Sequence, residues 1–122
     1  MGSILIIEDD SKLREVLTEM LEREGYEVIT AGNGKEGLEL YNELPVDMVI
    51  TDILMPEKDG VETISDLKRN FQDVKIIAIS GGGLVSGADY LESVRSMLNI
   101  RHVFSKPFST GELLLAVKEL IG

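Results

Sequence analysis

The sequence predicts a doubly wound α/β domain: one sheet of five parallel strands, each followed by a helix. Short apolar runs of strand length alternate five times with segments whose apolar residues recur at helical spacing. The runs at 4–7, 48–51 and 74–79 are the most continuously apolar, as central parallel strands are. The runs at 26–31 and 101–105 carry Glu27, Arg101 and His102 and are assigned to the edges. Strands alternating with helices demand a parallel sheet, because each helix is the crossover to the next strand.

Each element has its own signals. The first strand, residues 3–7, ends in Glu8-Asp9-Asp10, and Leu13, Val16, Leu17, Met20 and Leu21 then make a helical stripe stopped by Gly25. The stripe Leu13, Val16 and Leu17 is assigned to the core. Residues 26–31 are β-branched and aromatic, and Asn33-Gly34 turns into a second helix carrying Leu38 and Tyr41, closed by Pro45. The third strand stops at Asp52. Asp59 and Glu62 have capping-box spacing for a third helix with Val61, Ile64 and Leu67 inward. The fourth strand ends at Ser80 and three glycines, before a stripe of Tyr90, Leu91, Val94, Met97 and Leu98. His102-Val103-Phe104 is the fifth strand. Ser109 and Glu112 open the last helix, with Leu113, Leu114, Val117, Leu120 and Ile121 partly inward.

Composition narrows the functions available. A chain of 122 residues, 43% of them apolar, supports one core, burying roughly 65–70% of the unfolded surface. A single domain over 1–122 with no effector module is expected. The absence of Cys excludes disulfides, thiolate metal sites and cysteine nucleophiles. No apolar run approaches the ~20 residues of a bilayer span. Without a basic-then-apolar leader, a cytoplasmic location is expected. The net charge of −10 repels phosphate backbones and argues against nucleic acid as a direct ligand.

Ligands of such sheets bind at the carboxyl ends of the strands, beside the point where strand order reverses. There the sequence collects Glu8, Asp9 and Asp10, then Asp52, Ser80 and Lys106. If the first and third strands adjoin, their ends lie ~4.8 Å apart. Two carboxylates at such a distance repel by roughly 3 kcal/mol at an effective dielectric near 20. A raised pKa, the Lys106 ammonium or a divalent cation could each offset this. Clustered carboxylate oxygens without Cys favour Mg²⁺ over zinc. Taken singly, each feature has an ordinary reading: acids after a strand start helices, Lys106 is a surface lysine, and Ser80-Gly81-Gly82-Gly83 is a loop matching no nucleotide fingerprint. Converging on one edge, they make a phosphoryl-transfer site.

The segments Ile4-Leu5-Ile6-Ile7-Glu8-Asp9-Asp10, Val49-Ile50-Thr51-Asp52-Ile53-Leu54-Met55-Pro56-Glu57-Lys58-Asp59-Gly60, Ile77-Ala78-Ile79-Ser80 and Ser105-Lys106-Pro107-Phe108 resemble, in order and spacing, the response-regulator receiver domain of two-component signalling. The resemblance covers essentially the whole chain. It implies a flavodoxin-like (βα)5 fold with strand order 2-1-3-4-5. It implies that Asp52 is the phosphoacceptor, taking a phosphoryl group from the phosphohistidine of a sensor histidine kinase or from a phosphotransfer protein. Glu8, Asp9, Asp52 and the backbone carbonyl of Leu54 would hold Mg²⁺, or Mn²⁺, with Asp9 the direct ligand and Glu8 acting through water; Asp10 would cap the following helix. Lys106 and the Ser80 hydroxyl would each bind a phosphoryl oxygen, and the backbone amides of Ile53, Leu54 and Gly81 would add donors. The bond before Pro107 would be cis. The chain would be a signalling phosphoacceptor that catalyses only its own phosphorylation and slow dephosphorylation.

The chain also departs from the family's usual pattern. Val103 stands where the family commonly has a switch aromatic three residues before the lysine, and Phe104 beside it should face the other way. The stretch from Gly81 to Lys106 is longer than usual. Leu54 is apolar where polar side chains can orient the hydrolytic water, so a long-lived phosphoryl group is expected. The switch is assigned to Ser80, Val103 and Phe104. Output is assigned to a protein target on the face of the fourth helix, fifth strand and fifth helix, including Tyr90, Arg95, Arg101, His102 and Phe104. Exposed Lys12 and Arg14 are assigned to the kinase side. Two rival functions stay open: a phosphorylation-independent adaptor, favoured by Val103, and a Mg²⁺-dependent phosphohydrolase, disfavoured because Asp52-Ile53-Leu54 lacks a second carboxylate.

Overall fold

Five apolar runs form the strands β1 (Ser3–Ile7), β2 (Glu27–Ala31), β3 (Met48–Asp52), β4 (Ile76–Ser80) and β5 (His102–Ser105). In this computed structural model the described residues are 2–53, 60–71, 73–80, 95–106 and 108–122. All the strand pairs are parallel, in the order β2-β1-β3-β4-β5, so the doubly wound, flavodoxin-like architecture is the one present. Order reverses between β1 and β3, which pair Ile4 with Met48 and Ile7 with Thr51. That register brings the residues following Ile7 level with Asp52. β4 continues it, pairing Ile79 with Asp52, and β5 pairs Ser105 with Ser80.

The helices are α1 (Ser11–Arg23), α2 (Gly34–Glu43), α3 (Gly60–Asn70) and a final helix, Thr110–Ile121, with a further helical turn at 95–98. Polar caps start three of them. Asp10 accepts from the amides of Lys12 and Leu13, Asn33 from that of Glu36 and Ser109 from that of Glu112. Each cap satisfies a donor that an uncapped first turn leaves without a partner.

Alternation along the strands splits the core in two. Leu5, Ile7, Val49, Ala78 and Val103 pack under α2 and α3 with Ile64, Leu67 and Leu98. Ile4, Ile6, Ile50, Ile77 and Ile79 pack under α1 and the final helix with Leu17, Leu21, Leu113 and Val117. α2 lies so close to β1 that a Cβ on Gly37 would stand 2.3 Å from Ile7 Cδ1.

The core assignment of Val16 needs correction, and Met97 stands at the exposed margin of its helical stripe. Val16 is 54% exposed and Met97 65% exposed. Successive helical residues point about 100° apart, so with Leu17 and Leu98 turned inward their predecessors face out. β4 begins at Ile76 rather than at residue 74. Asp59, Tyr90, Leu91, Val94 and Pro107 lie outside the described residues, as does the side chain of Val61. Among the described residues no helix is long and apolar enough to cross a membrane.

Candidate functional site

Because β1 and β3 adjoin, Glu8, Asp9 and Asp52 meet at their carboxyl ends, each offering a carboxylate oxygen within 4.8 Å of the others. Glu8 and Asp52 are only 1% and 3% exposed, whereas Asp9 faces solvent. Lys106, one residue beyond β5, reaches across β4 and the sheet edge to both buried acids. Its Nζ donates to Asp52 Oδ2 at 2.9 Å and lies 3.3 Å from Glu8 Oε1.

Burial and neighbouring charge shift the titration of Glu8 and Lys106. Burial pushes the Glu8 carboxyl up to about 7; the Asp10 amide opposes this, the Asp52 charge adds to it and Lys106 opposes it. Lys106 is pulled down by its own burial, but the hydrogen bond and charge of Asp52, with the charge of Glu8, outweigh this and raise its pKa. The ammonium thus remains charged and serves as counterion to the acidic pair.

The site has further internal supports. Asp10 N–H donates to Glu8 Oε2 at 3.1 Å, and the Thr51 hydroxyl, fully buried, donates to Asp52 O at 3.1 Å. Glu8 Oε1 is buried and faces the Lys106 ammonium at 3.3 Å. Three carboxylates whose oxygens lie within 4.8 Å of one another, with no nitrogen or sulfur donor among them, suit a hard divalent cation, so the residues present fit Mg²⁺.

Several sequence assignments read differently in three dimensions. The Ile53 amide, assigned to the phosphate, donates instead to Ile79 O at 2.8 Å, because the β3–β4 ladder runs one residue past Asp52. Arg14, assigned to an exposed kinase-facing position, is half-buried, and its Nη1 donates to Glu8 O at 2.7 Å. Lys12 is exposed as assigned. Ser80 ends β4 beside the site, but its side chain, with Leu54 and Gly81, lies outside the described residues. Val103 is buried in the α2–α3 core, and Phe104 packs on the opposite face, its ring stacked with His102 at 6.3 Å. Arg101 pairs with Glu119 at 2.7 Å, and Arg95 lies 3.4 Å from Val103 O. The bonds from Arg14 and from the Asp10 amide were missed; the only sequence signal is a donor in the first turn of a helix that directly follows an acidic strand end.

Beside Lys106 runs a groove of about 330 Å³, lined by Leu13, Val16, Leu17 and Phe108 and edged by Asp10 and Thr110. The exposure of Val16 belongs to this groove.

Comparison with known proteins agrees with the geometry. A family model described as the response regulator receiver domain matches residues 4–118. The transcriptional regulatory protein CpxR of Escherichia coli is 31% identical over 99% of this chain and 50% of its own length. The chain therefore spans about half the length of the first curated relatives that it matches. The response regulator receiver protein CpdR of Brucella abortus is 33% identical over 99% of this chain and 98% of its own. The response regulator TrrA of Thermotoga maritima, solved with Mg²⁺-BeF, is 34% identical with a TM-score of 0.86, covering 99% of this chain and 100% of that one. TrrA has also been solved in complex with the histidine kinase ThkA, at 32% identity and a TM-score of 0.84 over 100% of both chains.

Proposed function

The chain belongs to the response regulator receiver domain family of two-component signalling, and we propose that Asp52 is its phosphoacceptor. The observation that carries this is the Lys106 ammonium held between two buried carboxylates, 2.9 Å from Asp52 and 3.3 Å from Glu8. An Asp52 oxygen attacks the phosphorus of a phosphohistidine; the P–N bond breaks, imidazole leaves with the electron pair, and an acyl phosphate forms. Water later cleaves it to phosphate and the free carboxylate.

Such a transfer needs little but positioning and neutralisation of the equatorial oxygens. Lys106 turns from Asp52 to one of those oxygens. The Ser80 hydroxyl takes another, with the Leu54 and Gly81 amides as further donors. Glu8, Asp9, Asp52 and the Leu54 carbonyl are the residues that would hold Mg²⁺, or Mn²⁺ by the same oxygen donors. When bound, the cation draws negative charge from the transferring group. Asp9, exposed at the rim, would be the direct ligand, and Glu8 would act through water.

TrrA was solved with a histidine kinase, and a kinase is the partner proposed here. The apolar groove from Leu13 to Phe108 opens beside Lys106 and suits the helical segment that presents the phosphohistidine. Once phosphorylated, Asp52 recruits Ser80 and biases an existing two-state equilibrium. Val103 and Phe104, on opposite faces of β5, carry the change to Arg95, Arg101 and His102, where a protein target binds. In this reading the chain is a signalling phosphoacceptor rather than a turnover enzyme.

Acetyl phosphate and Mg²⁺, followed by intact mass, test the proposal. A stable gain of one phosphoryl group that is lost in Asp52→Asn supports it. No gain supports the phosphorylation-independent adaptor, and continuous phosphate release supports a hydrolase.

A further inference from the structure

We infer that Arg14 is a positioning residue of the acidic site: its guanidinium fixes the peptide joining Glu8 to Asp9 and so sets where their carboxylates stand. The inference rests on the proposed reading of that site as a Mg²⁺-dependent phosphoacceptor.

The Glu8 carbonyl, to which Arg14 Nη1 donates at 2.7 Å, belongs to the peptide bond between the two acids. On its amino side this stretch is tied to the sheet, Glu8 N–H donating to Ala31 O at 3.0 Å. On its carboxyl side Asp10 N–H donates to Glu8 Oε2 at 3.1 Å, and Asp10 O accepts from Arg14 N at 2.9 Å. Arg14 is therefore held by its backbone to Asp10 and by its side chain to Glu8, closing a ring around Asp9. A Cβ on Gly32 would stand 3.7 Å from Arg14 Nη1, so the turn after β2 also borders the guanidinium.

The residue type suits the task. A guanidinium keeps its charge at every working pH, and a charged donor makes a stronger hydrogen bond than a neutral one. Neighbouring Lys12 is exposed and makes no such side-chain bond to the peptide. Groups that orient metal ligands from behind typically change metal affinity 10–100-fold when removed.

Two measurements on the full chain test the assignment. In Arg14→Ala, calorimetry is expected to show the Mg²⁺ dissociation constant raised about tenfold, with phosphorylation by acetyl phosphate recovered at saturating Mg²⁺. Without metal, exchange of the Asp10 amide should accelerate while amides of the β3–β4 ladder keep their protection. Arg14→Lys, which keeps a charged donor, should restore most of the affinity. Unchanged Mg²⁺ affinity and unchanged Asp10 exchange in Arg14→Ala overturn the inference, as does a general loss of protection in both variants. Should the wild-type protein itself bind no Mg²⁺, the phosphoacceptor reading falls, and Asp10 exchange in the metal-free protein still decides the role of Arg14.

Discussion

Lys106 is the residue on which two buried acids depend. Removing it leaves Glu8 and Asp52 facing each other without their ammonium. Lys106→Met should therefore destabilise the metal-free protein by about 2–3 kcal/mol, read from urea unfolding with a chelator present. The same change should slow phosphorylation by acetyl phosphate about a hundredfold, the usual cost of one preorganised transition-state donor. Glu8 carries the opposite charge logic. Its folded pKa stands above the ordinary 4.5, at about 7, so the folded state holds the proton more tightly than the unfolded chain. The stability it contributes is complete below pH 4.5 and is lost as pH rises through about 7. Glu8→Gln removes this titration. In chelator, the unfolding free energy of Glu8→Gln relative to wild type should rise between about pH 5 and about pH 8; a difference that stays flat contradicts the shift.

The elements were largely legible because their signals are local. Ser109 announces a helix start by its spacing to Glu112 and accepts from that residue's amide, and Asp10 and Asn33, each read at a helix start, cap α1 and α2 with their side chains. Features that depend on neighbours were not legible. Val16 belongs to a helical stripe by spacing, yet it lines an open groove because of where the final helix and the loop before it lie. The Ile53 amide is taken by Ile79, and only the length of the β3–β4 ladder decides that. Contact between α2 and β1 is of the same kind. Gly37 reads as a weak point of the helix, yet a methyl group there would meet Ile7 at 2.3 Å, inside a buried core. Ala is worth about 1 kcal/mol over Gly in an open helix. Overpacking costs about 1–3 kcal/mol, so Gly37→Ala should lower stability in thermal unfolding, and a gain would show that Ile7 moves aside without strain.

The whole molecule brings together residues far apart in sequence: Glu8 with Asp52, and both with Lys106. Chemistry and strand ends made these residues visible in the sequence. Their meeting depends on β1 lying beside β3, an order that the family resemblance supplied and periodicity alone did not. At the same scale, the net charge of −10 surrounds the site with a field that repels anionic phosphodonors. Raising monovalent salt from about 10 to about 150 mM shortens the screening length from about 30 to about 8 Å. At saturating Mg²⁺ it should therefore speed phosphorylation by acetyl phosphate; a rate that falls would place the controlling charge at Lys106 rather than in the overall field.

All of this turns on one carboxylate. Borohydride reduces an acyl phosphate to the alcohol, converting a phosphorylated aspartate to homoserine, which peptide sequencing by mass spectrometry can place. After treatment with acetyl phosphate and Mg²⁺, homoserine should appear at position 52 and vanish when Mg²⁺ is withheld. Homoserine at Asp9 or another acid, or at none, would contradict the account.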